Sequence, residues 1–217
     1  DGFMAKSNKK QEARGFGLAR LVSWTLTLAV WGFIGLGGVM AWYAYDLPDV
    51  EQALKPTRQP TVTIQAVDGS TLATYGDLYG MPAQLKELPL DLPNAVLATE
   101  DRRFYDHFGL DLIGLARATV ANVRAGRIVQ GGSTISQQVA KNLFLTPERS
   151  LKRKVQELLL ALWLEHQFTK DQILSVYLNR VYLGAGTFGV EAAAQKYFGK
   201  SARRLSTYEA ALIAGLL

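Results

Sequence analysis

The chain has 217 residues, 48% of them hydrophobic and 20% charged, and a formal net charge of +5. The absence of cysteine excludes a disulfide framework and thiolate chemistry. Two histidines, His107 and His166, cannot form a histidine-based metal site by themselves. Residues 1–20 carry five basic and two acidic side chains, whereas the rest of the chain carries 19 and 17. Because the positive excess lies mostly at the N-terminus, no nucleic-acid partner is predicted.

An uncharged stretch extends from Leu21 to Tyr45. As a helix it would span roughly 37 Å at ~1.5 Å per residue, enough to cross a hydrocarbon core of about 30 Å. A cleaved signal peptide would have a shorter apolar region and an Ala-x-Ala-like site, which this stretch lacks. We therefore predict a transmembrane helix over residues 21–45. Basic residues before it and acidic residues after it predict a cytoplasmic tail at residues 1–20 and an extracytoplasmic remainder.

Residues 46–83 are predicted to form a linker and a short β-hairpin segment. Three prolines mark the linker, and residues 61–75 alternate apolar and polar side chains around Asp68-Gly69, which is a hairpin signal. Capping residues and helical spacing of apolar side chains dominate the rest of the chain, so a mainly α fold is predicted. Helices are predicted over residues 93–107, 111–125, 134–145, 147–167, 170–179, 187–197 and 206–217.

Two glutamates have different predicted surroundings. Glu100 has Val96 and Phe104 four residues to either side, which places its carboxylate on an apolar stripe. Glu157 lies one helical turn after Arg153 in a basic stretch. Apolar surroundings disfavour the charged form of a carboxylate, and guanidinium groups favour it. The pair is a candidate for sugar chemistry, with Glu100 as proton acceptor and Glu157 permanently ionised.

Polar and basic residues after Gly131-Gly132 form a second candidate site. Helix N-termini favour phosphate, and hydroxyls and amides suit sugars. Two polar rows have a spacing of four residues: Ser133, Gln137 and Lys141 form one, and Thr134, Gln138 and Asn142 form the other. A basic cluster predicts a bound phosphate, and it comprises Lys141, Arg149, Lys152, Arg153 and Lys154.

Structural roles for these residues stay open alternatives. Glu100 could be a rim residue, Glu157 a surface salt-bridge partner, and the polar rows one face of an ordinary amphipathic helix. His107 fits a helix-end or packing residue better than a catalytic base.

Five segments carry a family resemblance: Glu100-Asp101-x-x-Phe104-x-x-His107-x-Gly109, Gly132-Ser133-Thr134-Ile135-x-Gln137-Gln138-x-x-Lys141-Asn142, Arg153-Lys154-x-x-Glu157, Lys170-x-x-Ile173-Leu174-x-x-Tyr177-Leu178-Asn179, and Gly184 to Gly199. In this order they resemble the motifs of the peptidoglycan glycosyltransferases, glycosyltransferase family 51. The match covers approximately residues 84–217. Ser175 stands where the fourth motif usually carries Glu, so no role is carried over to it.

The resemblance implies an inverting transfer that joins lipid II units into β-1,4-linked glycan strands and releases undecaprenyl diphosphate. It implies that Glu100 is the general base on the acceptor 4-hydroxyl. Glu157 would assist departure of the diphosphate, directly or through a divalent ion. No cofactor is obligate and no protein metal site is predicted, although Mg or Mn could act at the diphosphate. The implied substrate-binding residues are Ser133, Thr134, Gln137, Gln138, Lys141, Asn142, Arg149, Arg153 and Lys154.

The resemblance also implies a lysozyme-like helical domain over residues 84–217, on the outer face of the bacterial plasma membrane. The hairpin segment resembles bifunctional class A penicillin-binding proteins. We therefore expect a domain truncated at its C-terminal end and a transpeptidase domain beyond Leu217. Residues 110–129 fit either a segment lying on anionic lipid or an amphipathic core helix. The implied partners are lipid II, the growing strand and membrane lipid, with a homodimer or a wall-synthesis complex as a further expectation.

Two other functions are alternatives. A lytic glycosidase of lysozyme-like fold also uses glutamate, but cleavage of a neutral glycan gives no evident role to the basic cluster. A non-catalytic membrane scaffold would not need Glu100 and Glu157 together with the polar rows.

Overall fold

The computed structural model describes residues 5–45, 62–68, 71–75, 78–145 and 150–217. The chain divides into two compact units, Asp1–Leu47 and Pro48–Leu217. The first unit contains helix α1, Ala5–Tyr45, in which the segment Arg20–Tyr43 is long and apolar enough to cross a membrane. None of that apolar window is buried against protein. The predicted span 21–45 thus coincides with the apolar part of one helix.

The described part of the second unit is mainly helical, which confirms the predicted class. Short 3-10 turns lie at Leu85–Glu87, Phe104–Asp106 and Ala202–Arg204. The α-helices are α2 (Asp91–Glu100), α3 (Leu112–Ala125), α4 (Ile135–Phe144), α5 (Leu151–Gln167), α6 (Lys170–Arg180), α7 (Val190–Phe198) and α8 (Thr207–Ala214).

Two pairs of short strands accompany the helices. Strand β1 (Val62–Gln65) pairs antiparallel with β2 (Thr71–Tyr75), and the register shifts between Ile64 and Gln65. The predicted turn residue Gly69 lies outside the described residues. Strand β3 (Leu78–Tyr79) pairs in parallel with β4 (Thr187–Phe188).

The segment at residues 78–83 is fastened to the helical part of the unit. The side chain of Asn179 donates to the carbonyl of Ala83 and accepts from its amide, both at 2.9 Å. Gly80 lies so close to α7 that an added Cβ would stand 2.6 Å from the Cβ of Glu191. These contacts cross the predicted domain boundary at residue 84.

The core of this unit lies between α4, α5 and α6, while α2 packs against α8. Large apolar side chains such as Ile135, Leu160 and Leu174 are fully buried there. Each contributes about 1.5–3 kcal/mol relative to an exposed side chain. The well-packed core fixes α4, which carries most of the predicted polar rows.

The helix predicted over residues 93–107 is wrong at its C-terminal half. Helix α2 ends at Glu100, and Asp101 leaves helical geometry with φ −156° and ψ 78°. A separate 3-10 turn follows at Phe104–Asp106. The break has a side-chain cause, because the Asp101 carboxylate accepts a hydrogen bond from the backbone amide of Ile135, 34 positions away.

The start predicted for the next long helix also differs. Helix α5 begins at Leu151, where the Ser150 hydroxyl accepts from the amide of Arg153 at 3.1 Å. The predicted first residue of this helix, residue 147, lies outside the described residues. Capping boxes form at residues 169–172 and 206–209. At the start of α4 the Thr134 hydroxyl accepts from the amide of Gln137, but no reciprocal bond from Gln137 completes a capping box.

The capping box of α8 predicts an acid-sensitive contribution to stability. The Lys200 ammonium, 2.7 Å away, and the Ser206 amide hold the pKa of Glu209 at about 2, below its ordinary 4.5. A depressed pKa stabilises the fold fully above pH 4.5 and loses this contribution as the pH falls towards 2. Glu209→Gln should lower the melting temperature at pH 7, and its difference from the parent protein should shrink below pH 4.5. Thermal unfolding across this range checks it, and a difference independent of pH would contradict it.

Candidate active site

A cleft of about 500 Å³ opens beside the C-terminal end of α2. Its walls are formed by residues 98–102, the N-terminal part of α3, residues 130–134 and Gln138 of α4. Helix α2 ends at Glu100, and the carboxylate of this residue lines the cleft. It does not lie on the apolar face of a longer helix, as the sequence predicted.

A chain of hydrogen bonds connects Glu100 to the protein interior. The Gln138 amide Nε2 donates to Glu100 Oε2 at 2.7 Å. The Tyr177 hydroxyl donates to Gln138 Oε1 at 3.3 Å. Burial, and next the negative charge of Glu100, strongly raises the pKa of Tyr177, so this hydroxyl remains a donor. The prediction that the Glu100 carboxylate has apolar surroundings is therefore only partly correct. Val96 and Phe104 are buried, but the carboxylate itself has a polar partner.

A buried carboxylate joins the segment after α2 to the start of α4. Asp101 Oδ2 lies 3.0 Å from the backbone amide of Ile135 and 3.0 Å from His107 Nε2. Nearby, the Thr134 hydroxyl donates to the carbonyl of Gly109 at 2.8 Å. These bonds fix the position of the Glu100 backbone relative to the loop before α4. His107 therefore has a structural partner, in line with the packing alternative.

An ion cluster on α5 lies next to the cleft wall at Ser133. Glu157 is only 3% exposed, and its Oε1 lies 3.1 Å from Arg153 Nε. Lys154 Nζ donates to Glu157 Oε2 at 2.8 Å and to Ser133 Oγ at 3.0 Å. The predicted alignment of Arg153 with Glu157 is confirmed as an ion pair. Because Ser133 lines the cleft, Lys154 connects the cleft wall to the buried Glu157.

The structure brings together some of the predicted site residues and separates others. Glu100, Ser133, Thr134 and Gln138 line the cleft. The Thr134 hydroxyl is already used, because it donates to Gly109 and accepts from the amide of Gln137.

The remaining predicted residues do not belong to the cleft lining. Gln137 is buried, and Lys141 and Asn142 are exposed on α4. Arg149 lies outside the described residues. Lys154 bonds to Ser133 on the cleft wall, and Glu157 joins Lys154 to Arg153.

Several cleft residues were not predicted. Arg102 and Arg117 line the cleft, and Arg102 Nε donates to the carbonyl of Ala98 at 3.0 Å. Asp111 lies opposite Arg103, with Oδ1 and Nε 3.8 Å apart. In the sequence, Arg117 is one of the basic side chains of the amphipathic segment at residues 110–129. No local pattern in the sequence indicates that α3 faces this cleft.

The described residues do not fit a protein-held metal ion. No group of three or more histidine, cysteine, aspartate or glutamate side chains is placed to ligate one in the described part of the chain. At the basic end of the site, Glu157 is paired with Arg153 and Lys154. A divalent ion at a substrate diphosphate stays a prediction, and no step below depends on it.

Comparison with known proteins gives a consistent family assignment. A family model described as transglycosylase matches residues 68–217. Penicillin-binding protein 1A of Aquifex aeolicus is 45% identical over 199 residues, covering 92% of this chain and 27% of that protein. The protein of the same name from Escherichia coli is 43% identical over 201 residues, covering 91% and 24%. That of Vibrio cholerae is 41% identical over 199 residues, covering 92% and 24%. The chain thus spans about a quarter of the length of these relatives.

Proposed function

The chain belongs to the transglycosylase family, and on that premise we propose that it is a membrane-anchored peptidoglycan glycosyltransferase that polymerises lipid II. The observation that carries the proposal is the placement of Glu100 in one cleft with Ser133, whose hydroxyl is bonded to the ammonium of Lys154. A proton acceptor and a cationic group bordering one cleft suit a transfer that deprotonates a hydroxyl and expels an anion.

In the proposed reaction, the 4-hydroxyl oxygen of the acceptor sugar attacks the anomeric carbon of the donor. Glu100 takes the hydroxyl proton as the new carbon–oxygen bond forms. The bond from the anomeric carbon to the diphosphate oxygen breaks, and its electron pair leaves with the diphosphate. Attack from the face opposite the leaving group inverts the configuration and gives a β-1,4 linkage.

The ion cluster on α5 supports departure of the leaving group. Lys154 brings positive charge to the cleft wall at Ser133, and Glu157 is paired with both Lys154 and Arg153 from a buried position. Preorganised cations stabilise the charge that develops on a leaving diphosphate. In this proposal Glu157 acts by positioning Arg153 and Lys154, and Ser133 and Gln138 position the polar groups around the cleft.

The remaining predicted properties belong to the same proposal. The helical unit has a lysozyme-like fold, and α1 anchors it to the bacterial plasma membrane with the N-terminus in the cytoplasm. Lipid II, the growing strand and membrane lipid are its partners, and self-association or a wall-synthesis complex is a further expectation. Names of the relatives support a penicillin-binding parent protein of class A type.

Labelled lipid II and a product gel test this function. The purified chain in bilayers should give a ladder of glycan strands. Shortening of purified sacculus strands without elongation would indicate the lytic glycosidase. A protein that does neither, while keeping its fold and binding wall-synthesis proteins, would be the scaffold. Either of these two results would overturn the proposal.

Removal of residues 1–45 should leave a folded unit with reduced activity on full-length lipid II in bilayers. The anchor confines enzyme and substrate to one plane, which raises their effective concentration. Initial rates in bilayers and in detergent, for the intact and truncated chains, measure the effect. The difference should be larger in bilayers. Equal bilayer rates would show that docking does not depend on α1.

A further inference from the structure

We propose that Tyr177 is a positioning residue for the general base, acting through the Gln138 amide. This inference rests on the proposed function, in which Glu100 accepts the proton. Tyr177 lies on α6 and belongs to a different segment from either of its two successive partners, Gln138 on α4 and Glu100 at the end of α2.

The hydroxyl of Tyr177 is not needed for packing. The side chain is 1% exposed, so a phenylalanine ring would fill the same space without burying a polar group. The described residues give this hydroxyl one hydrogen-bonding partner, Gln138 Oε1, at 3.3 Å. A buried polar group is tolerated when it is bonded, and here the bond leads towards the cleft.

The Tyr177 hydroxyl holds the oxygen end of the Gln138 amide in place while the nitrogen end faces Glu100. An amide has a donor end and an acceptor end of nearly equal size, so packing alone does not choose between them. Because the carboxylate of Glu100 only accepts, the amide nitrogen is the end that faces it, and Oε1 accepts from Tyr177. The reversed amide would place its oxygen against the carboxylate and lose the hydrogen bond to Glu100.

The arrangement also assigns roles to the two oxygens of Glu100. Oε2 accepts from Gln138 at 2.7 Å. Among the described residues no partner is bonded to Oε1, which leaves that oxygen for the acceptor hydroxyl. Small displacements of a catalytic group are costly, since a shift of about 1 Å can reduce rate by roughly 10². Loss of the Tyr177 hydroxyl should therefore affect turnover more than substrate binding.

A double-mutant cycle tests the coupling in the lipid II assay. Tyr177→Phe should reduce kcat by roughly three- to tenfold, the rate equivalent of one neutral hydrogen bond, and leave KM unchanged. Gln138→Ala should cost more, and the double variant should be no slower than Gln138→Ala alone. Tyr105→Phe is the matched control, because it removes a hydroxyl bonded to Asp171 at 2.8 Å outside the cleft. The inference would be overturned if the rate losses of Tyr177→Phe and Gln138→Ala multiplied in the double variant, or if Tyr177→Phe changed only KM.

A spectroscopic readout separates this inference from the proposed function. In nitrogen-15 spectra of the full chain, the Gln138 side-chain amide can be identified by its loss in Gln138→Ala. Its proton signal should lie downfield, as expected for a bond to a carboxylate, and should move in both Glu100→Gln and Tyr177→Phe but not in Tyr105→Phe. An unmoved signal in Tyr177→Phe would overturn the positioning role. An inactive parent protein with the expected shifts would overturn the function and leave the hydrogen-bond chain established.

Discussion

Glu100→Gln should abolish polymerisation of lipid II while leaving the protein folded. The substitution keeps the size of the side chain and removes the charge that accepts the hydroxyl proton. Loss of a general base costs roughly 10²–10⁴ in rate. The amide of Gln138 can still donate to the oxygen of the new glutamine, so little strain is expected at the cleft. Initial rates, together with the melting temperature, measure the effect.

Glu87→Gln is the matched control for this experiment. Glu87 is an exposed carboxylate that pairs with Arg203 at 2.7 Å and does not line the cleft. Exposed ion pairs contribute little to stability, so this variant should retain its rate with at most a small loss of stability. Near-parental turnover by a folded Glu100→Gln protein would remove Glu100 from the role of base.

Arg153→Lys should be the second most damaging conservative change. Lysine keeps the positive charge beside Glu157, so the buried carboxylate is not left without a cation. It loses the planar fork that can grip two phosphate oxygens at once. If Arg153 binds the departing diphosphate, the rate should fall by roughly 10², as when one preorganised donor to a transition-state charge is removed. Polymerisation rate and melting temperature should be measured on the same preparation.

Arg204→Lys provides the comparison for a surface arginine. Arg204 is exposed on the 3-10 turn Ala202–Arg204 and does not line the cleft. The polymerisation rate and melting temperature of the Arg204→Lys variant should match those of the parent protein. A stably folded Arg153→Lys protein with an unchanged polymerisation rate would mean that Arg153 only forms the ion pair with Glu157.

Local patterns in the sequence predicted much of the fold. Apolar periodicity and capping residues located the helices, because both depend on residues a few positions apart. The errors occurred where a distant contact overrides the local pattern. Helix α2 stops at Glu100 since Asp101 bonds to Ile135, and spacing within residues 93–107 contains no trace of that contact.

The candidate site was predictable to a similar extent. The pairing of Arg153 with Glu157 follows from one helical turn and could be read from spacing. The bonds from Gln138 to Glu100 and from Lys154 to Ser133 join separate segments, so their partners depended on the fold. The two polar rows were a poorer guide, because each has a buried member, Gln137 in one row and Thr134 in the other.

Tyr177 shows why some functional candidates escape a reading of composition. Its ring belongs to the buried face of α6, and the sequence gives core residues no polar role. Arg117 is similar, because an arginine in an amphipathic helix usually marks a solvated face. Only the packing of α3 and α6 against neighbouring segments distinguishes these side chains from ordinary helix residues.

The most direct test of the central claim is the stoichiometry and stereochemistry of one turnover. Lipid II should be converted with one undecaprenyl diphosphate released for each glycosidic bond formed, and each new bond should be β-1,4. Quantifying the released diphosphate lipid against strand length, with the linkage assigned by proton NMR, gives both values. Equal amounts of lipid and new β bonds are the predicted result. Release of the diphosphate lipid with free reducing sugar and no strand growth would contradict it.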